Sequence, residues 1–441
     1  MKIELPDHVK FILDTLDKNG YEGYAVGGCV RDALLGREPQ DWDITTNAKP
    51  LQVKALFRRT IDTGLQHGTV TVMLDHVGYE VTTYRIDGEY EDGRHPKAVS
   101  FTGNLADDLM RRDFTINAMA YNETKGLVDL FTGREDLEKG VIRCVGEPKE
   151  RFTEDALRMM RAIRFSAQLG FAIEEQTLEA VRALADTIQK ISAERIQMEL
   201  LKTLTSAHPQ TIRLFYETGL SHYFLPELDQ MMETGQNNPH HCYSVGEHTL
   251  HSLSEVPQDK VLRLAMLLHD VAKPVCKTTD EEGIDHFHGH PLQGAELARK
   301  ILRRLKMDNE TISKVTQLIR WHDYNPPLSE RNVRRAVCKV GLAQYPDIFA
   351  VKRADIRAQS DYKKEEKLRY VDDYEQVYEQ ILEKNQCLSM KDLAVDGSDL
   401  LAAGIPQGKA IGEKLHGLFE LVLEEPSRNT REYLLSQINQ V

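Results

Sequence analysis

"AVGGCVRDALLGREPQDWDITT", residues 25–46, holds an apolar run ending in two glycines, a helical stretch, and two aspartates one residue apart. Gly27-Gly28 stands where a strand gives way to a helix. Glycines at such a junction let the backbone approach a phosphate chain, and the helix start offers it N–H donors. The stretch "CVRDALLG" (29–36) reads as a helix closed by Gly36. "WDITT" (42–46) is rich in β-branched residues and reads as a strand. On a strand, residues i and i+2 share a face, so Asp41 and Asp43 present two carboxylates side by side while Trp42 turns into packing. Carboxylates a few ångströms apart repel unless a cation lies between them. Mg²⁺ is the natural partner, because it takes oxygen ligands and keeps positions open for substrate phosphates. Taken singly, the two glycines read as a tight turn and the aspartates as a polar strand end. Together, as GG-x-x-R-D with Arg31 and Asp32 and then D-x-D, they form a far more specific pattern.

Working outward, "GTVTVML" (68–74) and "YEVTTYR" (79–85) are further strands, and Glu80 in the second is either a third carboxylate or a solvated strand residue. "LVDLFTGREDLEKGVIRCV" (127–145) has a turn at Thr132-Gly133 and a short strand at its end. After Pro148 helical periodicity dominates to the last residue, which makes the chain α+β: a mixed α/β front and a helical remainder. "DYKKEEKLRYVDDYEQVYEQILEKNQ" (361–386) reads as a long charged helix, and the glycines at 397, 404, 408 and 412 punctuate a helix-turn-helix. A length of 441 residues suggests two to four domains, and 41% hydrophobic with 28% charged residues suits a soluble globular protein. No apolar run is long enough to span a bilayer, and the N-terminus is amphipathic at Val9, Ile12, Leu13 and Leu16 without a signal-peptide core. Six cysteines, none in a CxxC, point to reduced thiols in the cytoplasm. A net charge of −13 argues against coating long nucleic acid, though it leaves room for a local basic groove.

Three more stretches narrow the reading: "RRDFTINAMAY" (111–121), "RFTEDALRMMRAIRFSAQLGF" (151–171) and "AERIQMELLKTL" (193–204). With the opening pattern, they resemble the nucleotidyltransferase superfamily that includes DNA polymerase β, and within it the class II tRNA nucleotidyltransferases, or CCA-adding enzymes. The resemblance covers the first half of the chain. It implies a polymerase β-like head at 1–147, a helical neck at 148–205, a body connector at 206–235 and a tRNA-binding helical tail at 361–441. By the same resemblance Asp41 and Asp43 are catalytic and hold Mg²⁺. Gly28 and Arg31 contact the nucleotide, and Arg161 and Arg164 reach its triphosphate with help from Arg112.

Asp155, Arg158, Arg161 and Arg164 follow at steps of three, which on one helix makes a winding ridge in which Asp155 and Arg158 can pair. The chemistry of such a pair is selective. Cytosine and adenine each show an amino donor beside a ring-nitrogen acceptor, whereas uracil and guanine show a carbonyl beside an N–H. An ionised Asp only accepts and an Arg only donates, so one Asp–Arg pair admits C and A without a template. The family assigns this role to the motif found here as Glu154-Asp155-x-x-Arg158. The reaction implied is attack of a tRNA 3′-hydroxyl on the α-phosphate of CTP or ATP, with release of pyrophosphate. The expected partners are tRNA, CTP and ATP, with neither DNA nor a membrane.

The loop "RIDGEYEDGRHPKA" (85–98) resembles the flexible loop that CC-only enzymes lack or shorten, and favours full CCA addition. A poly(A) polymerase is the nearest alternative, since bacterial members share the fold and the "DxDITTNA" string. A phosphohydrolase with an RNA-binding front half is the alternative from another class.

Nine of the 16 histidines lie between His240 and His322. "LRLAMLLHDVAKP" (262–274) sets His269-Asp270 at the end of an apolar helix, and His248, His286, His288, His290, His322 and Asp355 complete the series. Imidazoles with carboxylates suit Mn, Ni, Fe or Mg. The series resembles an HD-domain phosphohydrolase, over residues 236–360. That resemblance implies His248, His269, Asp270, His290, His322 and Asp355 as ligands of a second divalent ion, with His288 the nearest competitor to His290. His251 and His286 read equally as surface or core residues. Some CCA-adding enzymes with such domains hydrolyse 2′,3′-cyclic phosphates or 2′-nucleotides.

Overall fold

The computed structural model describes residues 2–88 and 99–440. The chain divides into two compact units, Met1–Pro226 and Glu227–Val441. Residues 89–98, most of the expected product-determining loop, lie outside the described residues.

In the first unit, the helix Asp7–Lys18 buries Val9, Ile12, Leu13 and Leu16, the stripe expected from their spacing. A seven-stranded sheet follows. Its spatial order is Thr60–Gly64, Thr69–Leu74, Val77–Thr83, Ile44–Thr46, Gly23–Val26, Met119–Asn122 and Gly126–Asp129. All neighbours are antiparallel except Ile44–Thr46 with Val77–Thr83, whose register pairs Ile44 with Val81. The interior strand Gly23–Val26 is buried along its whole length. This is why "YAV" reads as a continuous apolar run and does not alternate.

Behind the sheet the chain becomes helical. Phe152 is fully buried on the helix Pro148–Glu154, and Leu157–Leu169 carries a mostly buried surface. The buried ring of Phe114 meets Phe165 edge-on at 5.7 Å, fastening this helix to the end of the sheet region. Gly170 ends the helix at φ 74°, in the left-handed region a glycine adopts without penalty.

The second unit is helical apart from the strand pair Thr278–Thr279 and Asp285–His286. Six of its helices start on side chains that accept their first free N–H groups: Ser244, Asp259, Asp308, Ser329, Asp396 and Thr430. The charged stretch at 361–386 forms the helix Lys364–Glu383, which buries Val371, Tyr374, Tyr378 and Ile381. Tyr345 and Tyr378 approach to 5.1 Å, so this helix is packed along one face. The tail is the expected helix-turn-helix, Gly397–Ala402 and Lys409–Glu424, around Leu400, Leu418, Val422 and Leu434. Buried Arg334 donates from Nε to Leu423 O at 2.9 Å and from Nη2 to Glu424 O at 3.2 Å. Those carbonyls are the unsatisfied C-terminal end of Lys409–Glu424, where a cation is favoured. All six cysteines are free thiols, and among the described residues no helix is long and apolar enough to cross a membrane.

Candidate functional site

Gly27 takes φ 84° at the strand-to-helix junction, and a Cβ there would meet Arg112 Nη1 at 2.9 Å. Both facts require glycine: the backbone turns left-handed, and the space is held by a guanidinium. The helix Gly28–Leu34 follows, and Gly36, at φ 68°, ends it as read from sequence.

The aspartates are placed differently from the reading of "WDITT". The strand begins at Ile44, and Asp41, Trp42 and Asp43 form the segment leading into it. Asp43 still accepts a bond through its carbonyl from Val26 N at 2.9 Å, so the approach is fixed by one rung of pairing. Trp42 is only half-buried. Beyond that rung Gly23–Val26 gives way to the glycine turn, while on the other side Val77–Thr83 runs on past Asp43.

The sheet register brings in a third carboxylate. Ile44 lies beside Val81, so the preceding residues Asp43 and Glu80 are neighbours. Asp43 meets solvent, yet the protein crowded around it raises its carboxyl above the usual range. Arg112 works against that shift and Asp41 adds to it. Glu80 is raised by burial and then by Asp43 and Asp41. Two carboxyls pushed up in this way, with Asp41 acting on both, suit a divalent cation.

Arg112 is set by a buried network. Fully buried Asp108 accepts from Thr45 Oγ1 at 3.0 Å and from Arg111 Nη2 at 2.7 Å, and lies 3.5 Å from Arg112 Nη2. Arg31 donates to Asn117 Oδ1 at 2.8 Å and to both oxygens of Asp32. Arg161 Nε bonds Asp113 Oδ2 at 2.8 Å, and Arg164 Nε lies 2.9 Å from Glu199 Oε2. Arg164, Arg31 and Arg161 converge on one ring, their guanidinium carbons 4.1, 5.1 and 5.4 Å from the centre of Phe165. Burial pushes Arg164 down to about 10, and three cations at one ring make a site that an anionic phosphate chain would relieve.

The expected ridge is broken. Asp155 lies in the gap between the helices Pro148–Glu154 and Leu157–Leu169, in an extended conformation. Its Oδ1 accepts from Leu157 N at 3.0 Å and its Oδ2 from Arg195 Nη2 at 2.7 Å. Arg158 turns instead to Glu154 Oε2, at 2.6 Å, and to the Arg111 carbonyl. Asp155 is thus a capping residue with a partner forty positions away, and the i,i+3 pairing drawn from sequence is replaced by two separate pairs. The sequence reading missed Asp108, Asp113, Asn117, Phe165, Arg195 and Glu199. Asp113 and Asn117 stood in the quoted "RRDFTINAMAY", Phe165 in "RFTEDALRMMRAIRFSAQLGF", and Arg195 and Glu199 in "AERIQMELLKTL", so only their roles were overlooked; for Asp108 no local spacing carries the signal.

In the second unit the six expected ligands converge. The ligating atoms of His248, His269 and Asp270, and those of Asp270, His290 and His322, lie within 4.8 Å of one another. Asp355 Oδ1 is 2.9 Å from His248 Nε2. Each imidazole is oriented the same way. The Nδ1 atoms sit against main-chain carbonyls: His248 with Ala358 O at 3.2 Å, His269 with Met266 O at 2.8 Å, His290 with Phe287 O at 2.8 Å, and His322 with Ile319 O at 2.6 Å. A proton on Nδ1 leaves every Nε2 lone pair facing inward, as a metal requires. Burial, aided by His269 and His290, pushes His322 down to about 3, keeping it neutral. His288 is exposed and stacks on His286, and His251 stacks on Tyr243, so none of these three joins the cluster. Lys273, not anticipated, places Nζ 2.7 Å from Asp270 Oδ2.

Residues 23–143 match the Poly A polymerase head domain, 170–232 the "Probable RNA and SrmB- binding site of polymerase A", and 291–438 a tRNA nucleotidyltransferase domain 2. The CCA-adding enzyme of Enterococcus faecalis is 35% identical over 434 residues, 96% of this chain and 93% of that protein. The CCA-adding enzyme of Levilactobacillus brevis is 51% identical over 213 residues, but the match spans only 48% of this chain and 54% of that enzyme. Among solved structures, the CCA-adding enzyme of Bacillus stearothermophilus in complex with CTP has a TM-score of 0.76 at 29% identity, covering 98% of this chain and 95% of that one.

Proposed function

The chain belongs to the family of CCA-adding enzymes, and from that premise we propose that it adds C and A to the 3′ end of tRNA from CTP and ATP without a template. The observation carrying this reading is the pairing of a three-carboxylate cluster with three guanidiniums gathered on Phe165, in one unit. Asp41 and Asp43 would hold Mg²⁺, with Glu80 beside them; the ion, when bound, neutralises charge on the attacking and leaving oxygens. Gly28 and Arg31 hold the nucleotide, and Arg112, Arg161 and Arg164 receive its phosphates. For Asp155 and Arg158 to read a base edge, they exchange Arg195 and Glu154 for the nucleotide. The segments 1–147, 148–205, 206–235, 236–360 and 361–441 serve as head, neck, connector, HD domain and tRNA-binding tail.

The test is purified protein with tRNA ending before its first C, given CTP alone, ATP alone, or both. The expected product with both is CCA. A stop at CC sinks full CCA addition, and a long A tract makes the chain a poly(A) polymerase. Asp155→Asn should cut discrimination against UTP and GTP by roughly tenfold or more, the cost of about 1.4 kcal/mol of lost base-edge bonding.

A second reading rests on the inward-facing Nε2 set of the second unit. The six-ligand cluster binds a divalent ion and hydrolyses phosphate esters of the 2′,3′-cyclic or 2′-nucleotide class. Release of inorganic phosphate from a 2′-nucleotide, lost in Asp270→Asn, is the expected result.

A further inference from the structure

The cluster of the second unit opens into a cleft of about 460 Å³, lined by the ligands His322 and Asp355 and also by Lys352, Lys363 and Lys367. That volume holds a ligand the size of a nucleotide. Lys352 and the ligand Asp355 lie one turn apart on the helix Tyr345–Arg357. Lys363 and Lys367 flank the first turn of Lys364–Glu383, where the positive end of the helix dipole makes added cations unfavourable unless an anion offsets them. Among the described residues neither Lys352 nor Lys367 forms an ion pair. Lys352 Nζ donates to Tyr324 O at 3.0 Å and Asn325 Oδ1 at 2.7 Å, and Lys367 Nζ donates to Gln359 Oε1. Lys363 rests its ammonium over the Tyr362 ring at 5.7 Å. Glu366 is the carboxylate of that helix at the cleft. Burial pushes Lys352 down to about 8 against the opposing pull of Asp323 and Asp355, and a phosphate beside it would add to that pull.

We propose that Lys352, Lys363 and Lys367 form a second phosphate-binding subsite, so that this cleft takes a nucleotide unit bearing two phosphates, one at the metal cluster and one at the lysines. The inference rests on the phosphohydrolase reading of the cluster and adds its substrate class. A single metal cluster needs one phosphate; three lysines share a nucleotide-sized cleft with it, where the carboxylates are the ligand Asp355, Asp323 beside the ligand His322, and Glu366. Lysine suits this task as a mobile point charge that meets a phosphate from several directions.

The test uses the full chain with Mn²⁺, Ni²⁺ or Mg²⁺ added. Adenosine 2′,5′-bisphosphate, adenosine 2′-monophosphate and a ribodinucleotide ending in a 2′-phosphate are compared by kcat/KM and by equilibrium binding. The expected result is a preference of tenfold or more for the bisphosphate over the monophosphate, expressed mainly in KM and reduced to near unity in the Lys352→Gln/Lys367→Gln variant. The Lys352→Arg/Lys367→Arg variant should regain most of it. An equal preference for the dinucleotide assigns the second phosphate to an RNA chain; its absence assigns it to a free nucleotide, and the subsite stands in either case. A preference below twofold in the unaltered chain, or one that survives in the Gln variant, overturns the subsite. If no substrate is hydrolysed, the phosphohydrolase reading fails. Binding then still decides the subsite: a tenfold drop in bisphosphate affinity in the Gln variant supports it, and no drop overturns it.

Discussion

The two candidate sites hold similar chemistry by opposite means. In the first unit the charges are paired with each other, Arg161 with Asp113, Arg164 with Glu199 and Asp155 with Arg195, while Asp41, Asp43 and Glu80 repel one another. In the second unit the donors are buried imidazoles, each anchored by a main-chain carbonyl, with inward lone pairs. The difference follows from what each site would do. Ion pairs can be exchanged for a passing triphosphate at modest cost, because one charged partner replaces another. A carbonyl-anchored imidazole cannot turn away without leaving a buried N–H unsatisfied, so that arrangement favours a resident ion.

The largest expected effect tests the carboxylates. Asp43→Ala should lower nucleotide addition by about a thousandfold or more while leaving the metal content of the histidine cluster unchanged; removing a residue acting only in the transition state has effects of that order. Addition within tenfold of the unaltered chain would end the comparison, since the first unit would then not depend on its acids. Next, Glu199→Ala leaves Arg164 buried and unpaired and should cost about 3 kcal/mol, over a hundredfold in the folding equilibrium, read from a urea unfolding curve. A loss below about 1 kcal/mol would mean that the pair is readily replaced by water.

In the second unit, His269→Ala should weaken divalent-ion retention at least tenfold, measured as metal content after dialysis, with nucleotide addition unchanged. Retention at the native level would place the ion elsewhere. The smallest effect is acid stability. Buried Asp285 accepts from Lys277 Nζ at 2.8 Å, Asn237 N at 2.7 Å and Thr279 Oγ1 at 2.8 Å, and these donors, Lys277 foremost, hold its carboxyl down at about 2. A depressed folded-state value stabilises the protein above the unfolded value of about 4 and is lost as pH falls toward about 2. The advantage in melting temperature over Asp285→Asn should therefore be present at pH 6 and shrink between pH 4 and 2. A constant advantage over that window would assign the effect to packing.

Much of this was legible in the residues. The amphipathic stripe of the first helix, the glycine turn, the helix ended by Gly36 and the six-ligand series all depend on local conformation or on a pattern carried along the chain. The misreadings have a common cause. "WDITT" has strand composition from Trp42, but only Ile44–Thr46 pairs on both sides, and the last rung before it is the bond from Val26 N to Asp43 O. The steps of three from Asp155 to Arg164 suggest one helix, but Asp155 caps a helix that begins at Leu157 and takes Arg195 as its partner.

By itself, the sequence determined the chemistry available: which carboxylates, guanidiniums and imidazoles exist, and which stand close because the chain between them is short. The tertiary structure alone decided the partnerships. Glu80 joins the aspartates through a parallel register, Phe165 gathers arginines from two helices, and Lys352 and Lys367 share a cleft with Asp355. The physical reason is that local spacing fixes direction along one helix or strand. Distances between elements are set by how the whole apolar surface packs, and no short window of sequence records that.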